Sequence, residues 1–317
     1  MADRPVARRH GDRLNFARSL ALAALFAAAP ASGQVKVYIS ADMEGIAGVV
    51  TGEQLGPQGF EYQRFREFMT NEVLAAIEGA RAGGATEILV GDSHGNGQNL
   101  LIERFPKDVQ IVRAWPRPHL MMQGIDSTFA AVLFVGYHTG TTNTEGVRAH
   151  TMSSANFADV RLNGVSVPEA GLNAAIAGHF GVPVVLVTGD EAVVKEARGL
   201  LGDVEGAVVK WPYGFHSART LTPEASCELI REKAKAAVSR VGSDPRRGSD
   251  PPRKPWRVTT PVTLELRFKN YRPAEVLAYL PIVERVDAHT VRFRGKDVLE
   301  VARFIEFVLH FEPGLSP

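Results

Sequence analysis

Three short apolar segments in the first half of this sequence each run into side chains that can ligate a metal ion. These side chains are Asp42, Glu44, His94 and His138. If the segments are parallel strands, their carboxyl ends lie at one edge of a sheet, where ligands bind in such folds. Carboxylate and imidazole groups are suitable ligands for Zn²⁺ or Mn²⁺. The coincidence at three predicted strand ends therefore indicates a metal site.

Each of these residues also has an ordinary structural interpretation. Asp42 could cap a turn, Glu44 could be a solvated loop acid, and His138 could pack behind its strand. Two later residues, His150 and Glu169, join the set by residue type alone. Glu169 also fits the first turn of a helix, where the helix dipole favours an acidic side chain. The metal hypothesis rests on the combination and not on any single residue.

Asp92 lies two residues before His94. It is a candidate hydrogen-bond partner that would fix the tautomer of that imidazole, a role often found behind metal-ligating histidines. The alternative is that Asp92 caps its own loop. Cys227 is the single cysteine, which excludes an intramolecular disulfide framework and a cysteine-rich zinc site.

The overall composition is that of an ordinary globular protein. The chain has 317 residues, of which 45% are hydrophobic and 22% charged, and its 36 basic residues nearly balance its 35 acidic ones. A net charge of +1 gives no electrostatic reason to expect a nucleic acid as partner.

Residues 1–33 have the pattern of a secretory signal peptide. Five arginines precede the apolar run Leu20 to Ala29, and Pro30-Ala31-Ser32-Gly33 follows it. The run is shorter than the about 20 residues that span a membrane. We expect an exported protein, periplasmic or secreted, without stable membrane insertion after cleavage; a retained N-terminal extension or anchor is the alternative.

Short apolar runs alternate with amphipathic ones after residue 34, which predicts an α/β fold with a mostly parallel sheet and helices on both faces. The C-terminal portion is predicted to be smaller and to belong to the α+β class. We expect a metal-binding domain over 34–220 and a second domain over 221–317. Within the latter, the Pro- and Gly-rich segment 242–255 is predicted to be an exposed loop.

The predicted elements follow hydrophobic periodicity. Strands are expected at 35–40, 87–90, 109–113, 130–135, 183–188, 262–268 and 289–293. Helices are expected at 60–82, 169–178, 191–201, 222–241 and 297–311.

Five separated motifs together resemble the D-aminopeptidase family of dizinc peptidases, of the dipeptide-transport-associated type. The motifs occur in the family's order and approximate spacing, between about residues 36 and 311. They are Asp42-Met43-Glu44-Gly45-Ile46, Asp92-Ser93-His94, Gly136-Tyr137-His138, His150-Thr151-Met152 and Glu169-Ala170-Gly171-Leu172-Asn173.

The resemblance implies two Zn²⁺ ions per subunit, with the Asp42 carboxylate bridging them. It divides the other ligands into two pairs, which are Glu44 with His138 and His94 with Glu169. These assignments are what the resemblance implies, and the spacing of the residues alone does not give them.

The resemblance also implies a function. His150 matches the family's catalytic histidine, and the sequence leaves open whether it acts as nucleophile or as general acid and base. The expected reaction is the removal of N-terminal D-amino acids, D-Ala above all, from short peptides by a ring-like homo-oligomer. The alternatives are another dinuclear hydrolase, such as an amidase or phosphoesterase, and a non-catalytic exported solute-binding protein.

Overall fold

The computed structural model describes residues 34–241 and 253–311, which are built around two β-sheets. The strands in chain order are β1 (Lys36–Ala41), β2 (Glu87–Asp92), β3 (Gln110–Val112), β4 (Ala131–Tyr137), β5 (Phe157–Leu162), β6 (Val165–Ser166), β7 (Val184–Asp190), β8 (Glu205–Gly214), β9 (Ser217–Thr220), β10 (Val262–Phe268), β11 (Val283–Arg285) and β12 (Thr290–Gly295). The α-helices are α1 (Tyr62–Ala82), α2 (Glu169–His179), α3 (Glu191–Leu201), α4 (Pro223–Ser239), α5 (Tyr271–Leu277) and α6 (Val298–His310).

The first sheet has seven strands in the order β3-β2-β1-β4-β7-β8-β9, and all neighbouring pairs except β8–β9 are parallel. The second sheet has the order β11-β12-β10-β5-β6 and is antiparallel. The predicted α/β class, with a mostly parallel sheet, is therefore confirmed.

Both faces of the first sheet are buried, and β1 shows how its sequence produces this. Val37 and Ile39 belong to the core under α1 and α4, whereas Tyr38 points to the core formed with α2 and the second sheet. Successive side chains of a strand point to opposite faces, so a fully covered strand must be apolar at nearly every position. The helices on both faces match the prediction.

The strand order places a topological switch at the centre of the first sheet. The chain leaves β1 toward β2 on one side and later returns to β4 on the other side of β1. At such a point the two connecting loops diverge and leave a crevice outside the carboxyl ends of the strands. This crevice is where the predicted metal ligands lie.

Several elements were not expected from the sequence. The hairpins β5–β6 and β8–β9, the helix α5 and the strand β11 have no counterpart among the predicted elements. In the β5–β6 hairpin, Asn163 and Gly164 both have positive φ, 50° and 83°. This is the requirement of a two-residue type I′ turn, which the Asn-Gly pair satisfies.

The pairing of β5 with β10 joins strands from either side of residue 220, where we expect a domain boundary. The second sheet thus contains strands from both predicted domains. The division into domains stays a prediction. The predicted signal peptide, 1–33, and most of the predicted loop, 242–252, lie outside the described residues. Export likewise stays a prediction. Among the described helices, none combines the length and the apolar character needed to cross a membrane.

A close backbone contact fixes the loop after β1 against the end of β4. The amide of Gly45 donates to the carbonyl oxygen of Gly136 at 2.7 Å. A Cβ atom at position 45 would lie 2.1 Å from the carbonyl oxygen of Tyr137. Only glycine fits here, because the obstructing atoms belong to a buried central strand and cannot move aside cheaply.

We predict that Gly45→Ala lowers the free energy of unfolding by about 1–3 kcal/mol, the usual cost of overpacking. Gly199→Ala is the matched control, since position 199 is exposed in α3 with no atom near a new Cβ. That substitution should raise stability by about 1 kcal/mol through helix propensity. Urea denaturation measures both, and equal stability of Gly45→Ala and the natural protein would contradict the packing argument.

Candidate metal centre

The structure brings all six candidate ligand and catalytic side chains into one cluster at the crevice. Their nitrogen and oxygen atoms form three overlapping groups, and within each group they lie within 4.8 Å of one another. The groups are Asp42 with Glu44 and His94, Asp42 with His138 and Glu169, and Glu44 with His138 and His150.

The first group lies between the ends of β1 and β2. His94 Nδ1 is 3.3 Å from Asp42 Oδ1 and 2.8 Å from Glu44 Oε2. The β1 and β2 strands are in register, with Ala41 opposite Asp92. The residues just beyond each strand are therefore neighbours, which explains how side chains about fifty positions apart meet.

The second group lies between the end of β4 and the first turn of α2. His138 Nε2 is 3.3 Å from Asp42 Oδ2 and 3.4 Å from Glu169 Oε2. Asp42 thus directs one carboxylate oxygen to each group. That is the placement expected of a carboxylate that bridges two metal ions.

The pairing of ligands that the resemblance implies, Glu44 with His138 and His94 with Glu169, differs from these contacts. The structure places Glu44 beside His94 and Glu169 beside His138. The strand order explains these contacts. The loop after β1, which carries Glu44, lies beside the end of β2, and His94 follows that strand. Helix α2, which begins with Glu169, lies beside the end of β4, and His138 follows that strand. Glu44 also lies near His138 within the third group.

Both candidate ligand histidines, His94 and His138, are oriented by main-chain carbonyl groups. His94 donates its Nε2–H to the carbonyl of Leu55 at 2.7 Å, and His138 donates its Nδ1–H to the carbonyl of Thr139 at 3.0 Å. These bonds assign the tautomers. In the neutral ring, the other nitrogen then carries a lone pair and faces carboxylate oxygens, which are also acceptors.

This arrangement fits a divalent cation. Two acceptors facing each other at about 3 Å are favourable only if a proton or a cation lies between them. Among the described residues, buried Asp42 Oδ2 and His138 Nε2 have no hydrogen-bond partner. Carboxylate oxygens and imidazole nitrogens are common ligands of Zn²⁺, which usually binds about four ligands in a tetrahedral arrangement. The residues present therefore fit zinc.

The buried charges shift one another's pKa values. Burial and the neighbouring Glu44 carboxylate raise the pKa of Asp42 to about 6. Burial alone would lower the pKa of His94, but the carboxylates of Glu44 and Asp42 hold it well above its ordinary value. The carboxylates of Glu169 and Asp42 do the same for His138. The metal-free site therefore holds protons at neutral pH where a metal would otherwise be.

His150 lies at the edge of the cluster with its side chain 13% exposed. Its Nδ1–H donates to the carbonyl of Arg148 at 2.8 Å, so Nε2 faces the site, 3.6 Å from Glu169 Oε1. Its ring stacks on that of His138 with 4.0 Å between centroids. Burial and the neighbouring His138 lower the pKa of His150, which favours a neutral imidazole with a free Nε2 lone pair.

The loop that carries His150 has a strained backbone on both sides of it. Arg148 and Met152 are non-glycine residues with positive φ, 57° and 63°, a conformation that persists where the surroundings enforce it. Three hydrogen bonds supply this enforcement: the amide of Arg148 to the carbonyl of Phe215, the amide of His150 to the carbonyl of Thr139, and the amide of Met152 to Glu169 Oε1.

Asp92 does not contact the His94 imidazole, so the prediction that it fixes this tautomer is wrong. Its carboxylate accepts from the amides of Asn99 and Leu100 at 2.6 and 2.7 Å and from the Asn99 side chain at 2.8 Å. Asn99 in turn donates to the carbonyl of His94 at 2.7 Å. Asp92 therefore shapes the loop, and the carbonyl of Leu55 fixes the ring.

Two buried charged residues behind the site were missed by sequence reasoning. Lys210 in β8 is fully buried, and Glu72 in α1 is 1% exposed. Burial lowers the pKa of Lys210 to about 8 and raises that of Glu72 to about 7. The available signal was a lone lysine inside the apolar run 207–211, since lysine is almost never fully buried without partners.

The cluster opens into a cavity of about 360 Å³. Its lining includes Trp115, His310 and the segment 153–156, and the rings of Trp115 and His310 stack with 5.8 Å between centroids. Met121 and Met152 add apolar surface close to the acidic groups. The cavity thus combines a strongly acidic floor with an apolar wall, and its size suits a small molecule or a short peptide.

Comparison with known sequences identifies relatives over most of this chain. Residues 35–307 match the family described as Peptidase M55, D-aminopeptidase. A D-aminopeptidase of Bacillus subtilis (strain 168) is 34% identical over 267 residues, which covers 84% of this chain and 93% of that protein.

The fold is also similar to that of a solved structure. This is the Zn-dependent D-aminopeptidase DppA from Bacillus subtilis, described as a self-compartmentalizing protease. The TM-score is 0.80 at 32% sequence identity, with 88% of this chain and all of that chain covered (100%).

We predict that zinc binding at pH 7 releases protons. The raised pKa values mean that His94 and His138 are protonated in the metal-free protein, whereas a zinc-bound imidazole nitrogen must be deprotonated. Zinc affinity should therefore rise with pH through the neutral range and level off above the raised pKa values.

Calorimetry in buffers of different ionisation enthalpy measures the protons released, and we expect about two per chain at pH 7. His94→Gln should release about one fewer. His216→Gln, at an exposed position in the β8–β9 turn, is the control and should change nothing. Zinc binding without proton release at pH 7 would show that the two rings are neutral before the metal arrives.

Proposed function

This chain belongs to the D-aminopeptidase family, and from that membership we propose that it removes N-terminal D-amino acids, with D-Ala favoured, from short peptides at a site holding two zinc ions. The chain is a zinc-dependent aminopeptidase, a hydrolase of peptide bonds. The number of ions and the preferred substrate are the proposed part.

One observation carries the dinuclear proposal. Asp42 directs Oδ1 toward His94 and Oδ2 toward His138, and each of these imidazoles has its own additional carboxylate, Glu44 or Glu169. Each half of the site therefore has two carboxylate oxygens and one imidazole nitrogen. Three protein ligands with a remaining open position are typical of catalytic zinc.

Zinc bound here would polarise the scissile carbonyl and lower the pKa of a water molecule. The protein's own contribution centres on His150, whose Nε2 faces the cavity while its Nδ1–H is held by the Arg148 carbonyl. A neutral imidazole in this orientation can accept a proton at Nε2 and then deliver it to the leaving amine. We favour this role over covalent attack, because zinc bound beside His150 would already supply an activated water molecule as the nucleophile.

The substrate proposal draws on the cavity and on the relatives. The buried carboxylates give the floor a negative potential, which attracts the α-ammonium group of a peptide. The cavity of about 360 Å³ suits short peptides. The name of the B. subtilis relative supports D-amino acids, and the family resemblance supports D-Ala. The description of the solved relative as self-compartmentalizing supports a homo-oligomer with an internal chamber.

We predict that the purified protein contains about two zinc ions per chain and releases D-Ala from D-Ala-D-Ala faster than L-Ala from L-Ala-L-Ala. Elemental analysis and a panel of matched D- and L-dipeptides test this on one preparation, which should sediment as a homo-oligomer. A chelator should abolish hydrolysis, and added zinc should restore it. Full activity after metal removal, or preference for L-residues, would contradict the proposal.

We also predict that His150→Ala lowers kcat by about 10²–10⁴-fold, the usual contribution of a general acid–base group, while zinc content stays unchanged. His216→Ala is the control. The ring of His216 also contacts another aromatic ring, that of Phe215, but His216 is exposed in the β8–β9 turn. A His150→Ala enzyme with the natural rate would remove this residue from the mechanism and leave the metal site intact.

A further inference from the structure

Lys210 is among the largest fully buried side chains in the described part of the chain. It projects from β8 toward the loop 42–49, which follows β1 and carries Asp42 and Glu44. The ion pairs among the described residues do not include Lys210. A buried ammonium group without a carboxylate partner is costly, so its other contacts must account for its position.

Those contacts are three main-chain carbonyl groups of a single loop. The ammonium group donates to the carbonyl of Glu44, to that of Ile46 at 3.2 Å and to that of Val49 at 2.7 Å. All three donors of the lysine are thereby used. Three carbonyl dipoles that converge on one point repel each other unless a cation lies there, so the loop has this shape because of the lysine.

Glu72 holds the same loop through an amide group. Its Oε1 accepts from the amide of Ala47 at 3.0 Å and from the hydroxyl of Ser226 at 2.6 Å. The buried ammonium group of Lys210 in β8 thus binds loop carbonyls, and the buried carboxyl group of Glu72 in α1 binds a loop amide. The carboxylate ligands occupy the first part of this doubly anchored loop.

We propose that Lys210 is a positioning residue for metal binding: by fixing the carbonyls of the loop 42–49, it places the carboxylates of Asp42 and Glu44 where both metal ions need them. The inference rests on the proposed function, since it concerns that same zinc site. It assigns the lysine no contact with substrate or with the reacting atoms.

Positioning and simple electrostatics predict opposite results when the charge is removed. A fixed positive charge close to the site repels a second cation, so removing it should tighten zinc binding if charge alone matters. If the lysine positions the ligands, removing it should weaken zinc binding. Loss of groups that orient metal ligands typically costs about 10–100-fold in metal affinity.

The experiment compares Lys210→Met with Leu264→Ala by chelator competition for zinc at constant pH. Leu264 is fully buried in β10 of the second sheet, and its truncation removes buried apolar contacts and lowers stability. It therefore controls for destabilisation alone. Circular dichroism at the assay temperature ensures that each variant is folded, and excess zinc should partly restore the activity of Lys210→Met.

We expect zinc affinity about 10–100-fold weaker in Lys210→Met and unchanged in Leu264→Ala. Unchanged or tighter binding by Lys210→Met would overturn the proposal, as would equal weakening in both variants. Should Lys210→Met fail to fold, Lys210→Gln retains an amide donor and should show an intermediate loss, and natural affinity in that folded variant would equally overturn it. Failure of the proposed function is distinguishable, because the natural protein itself would then bind fewer than two zinc ions or show no preference for D-residues, whatever the variants do.

Discussion

Three carboxylates buried side by side impose the main electrostatic constraint on this fold. Asp42, Glu44 and Glu169 are each at most 5% exposed, and like charges repel strongly where water is excluded. Such a cluster is stable only if cations or protons compensate it. His94 and His138 supply that compensation in the metal-free chain through their raised pKa values, and under the proposed function bound zinc would supply it in the enzyme.

The fold meets this constraint mainly through main-chain groups. His94, His138 and His150 are each held by a carbonyl of the loops around the sheet, and the loop 42–49 is held by its contact with the end of β4 and by Lys210. Backbone atoms of a packed sheet move little, so they define ligand positions better than flexible side chains would. This preorganisation brings candidate ligands from four separate segments into one site, and the close backbone contact that it needs leaves room only for glycine at position 45.

The sequence predicted which side chains cluster, because apolar strands followed by acids and histidines report directly on the carboxyl edge of a parallel sheet; that these side chains bind metal stays a prediction. Sequence reasoning could not obtain their grouping, since whether Glu44 meets His94 or His138 depends on which strands are neighbours. It misassigned Asp92, because proximity in sequence says nothing about which way an imidazole ring turns. The hairpins were missed for a related reason: β5 and β8 mix polar and apolar residues without a clean period, and pairing partners distant in sequence decide that they are strands.

Zinc K-edge X-ray absorption on the fully loaded protein tests whether Asp42 bridges two zinc ions held by carboxylates and imidazoles alone, as we propose. We expect nitrogen and oxygen neighbours at about 2.0–2.2 Å and a zinc–zinc distance of about 3.5–4 Å. We expect no sulfur neighbour at about 2.3 Å, since the one cysteine, Cys227, lies in α4 and belongs to none of the candidate ligand groups. A spectrum without a zinc–zinc contribution, or with a sulfur ligand, would contradict this proposal.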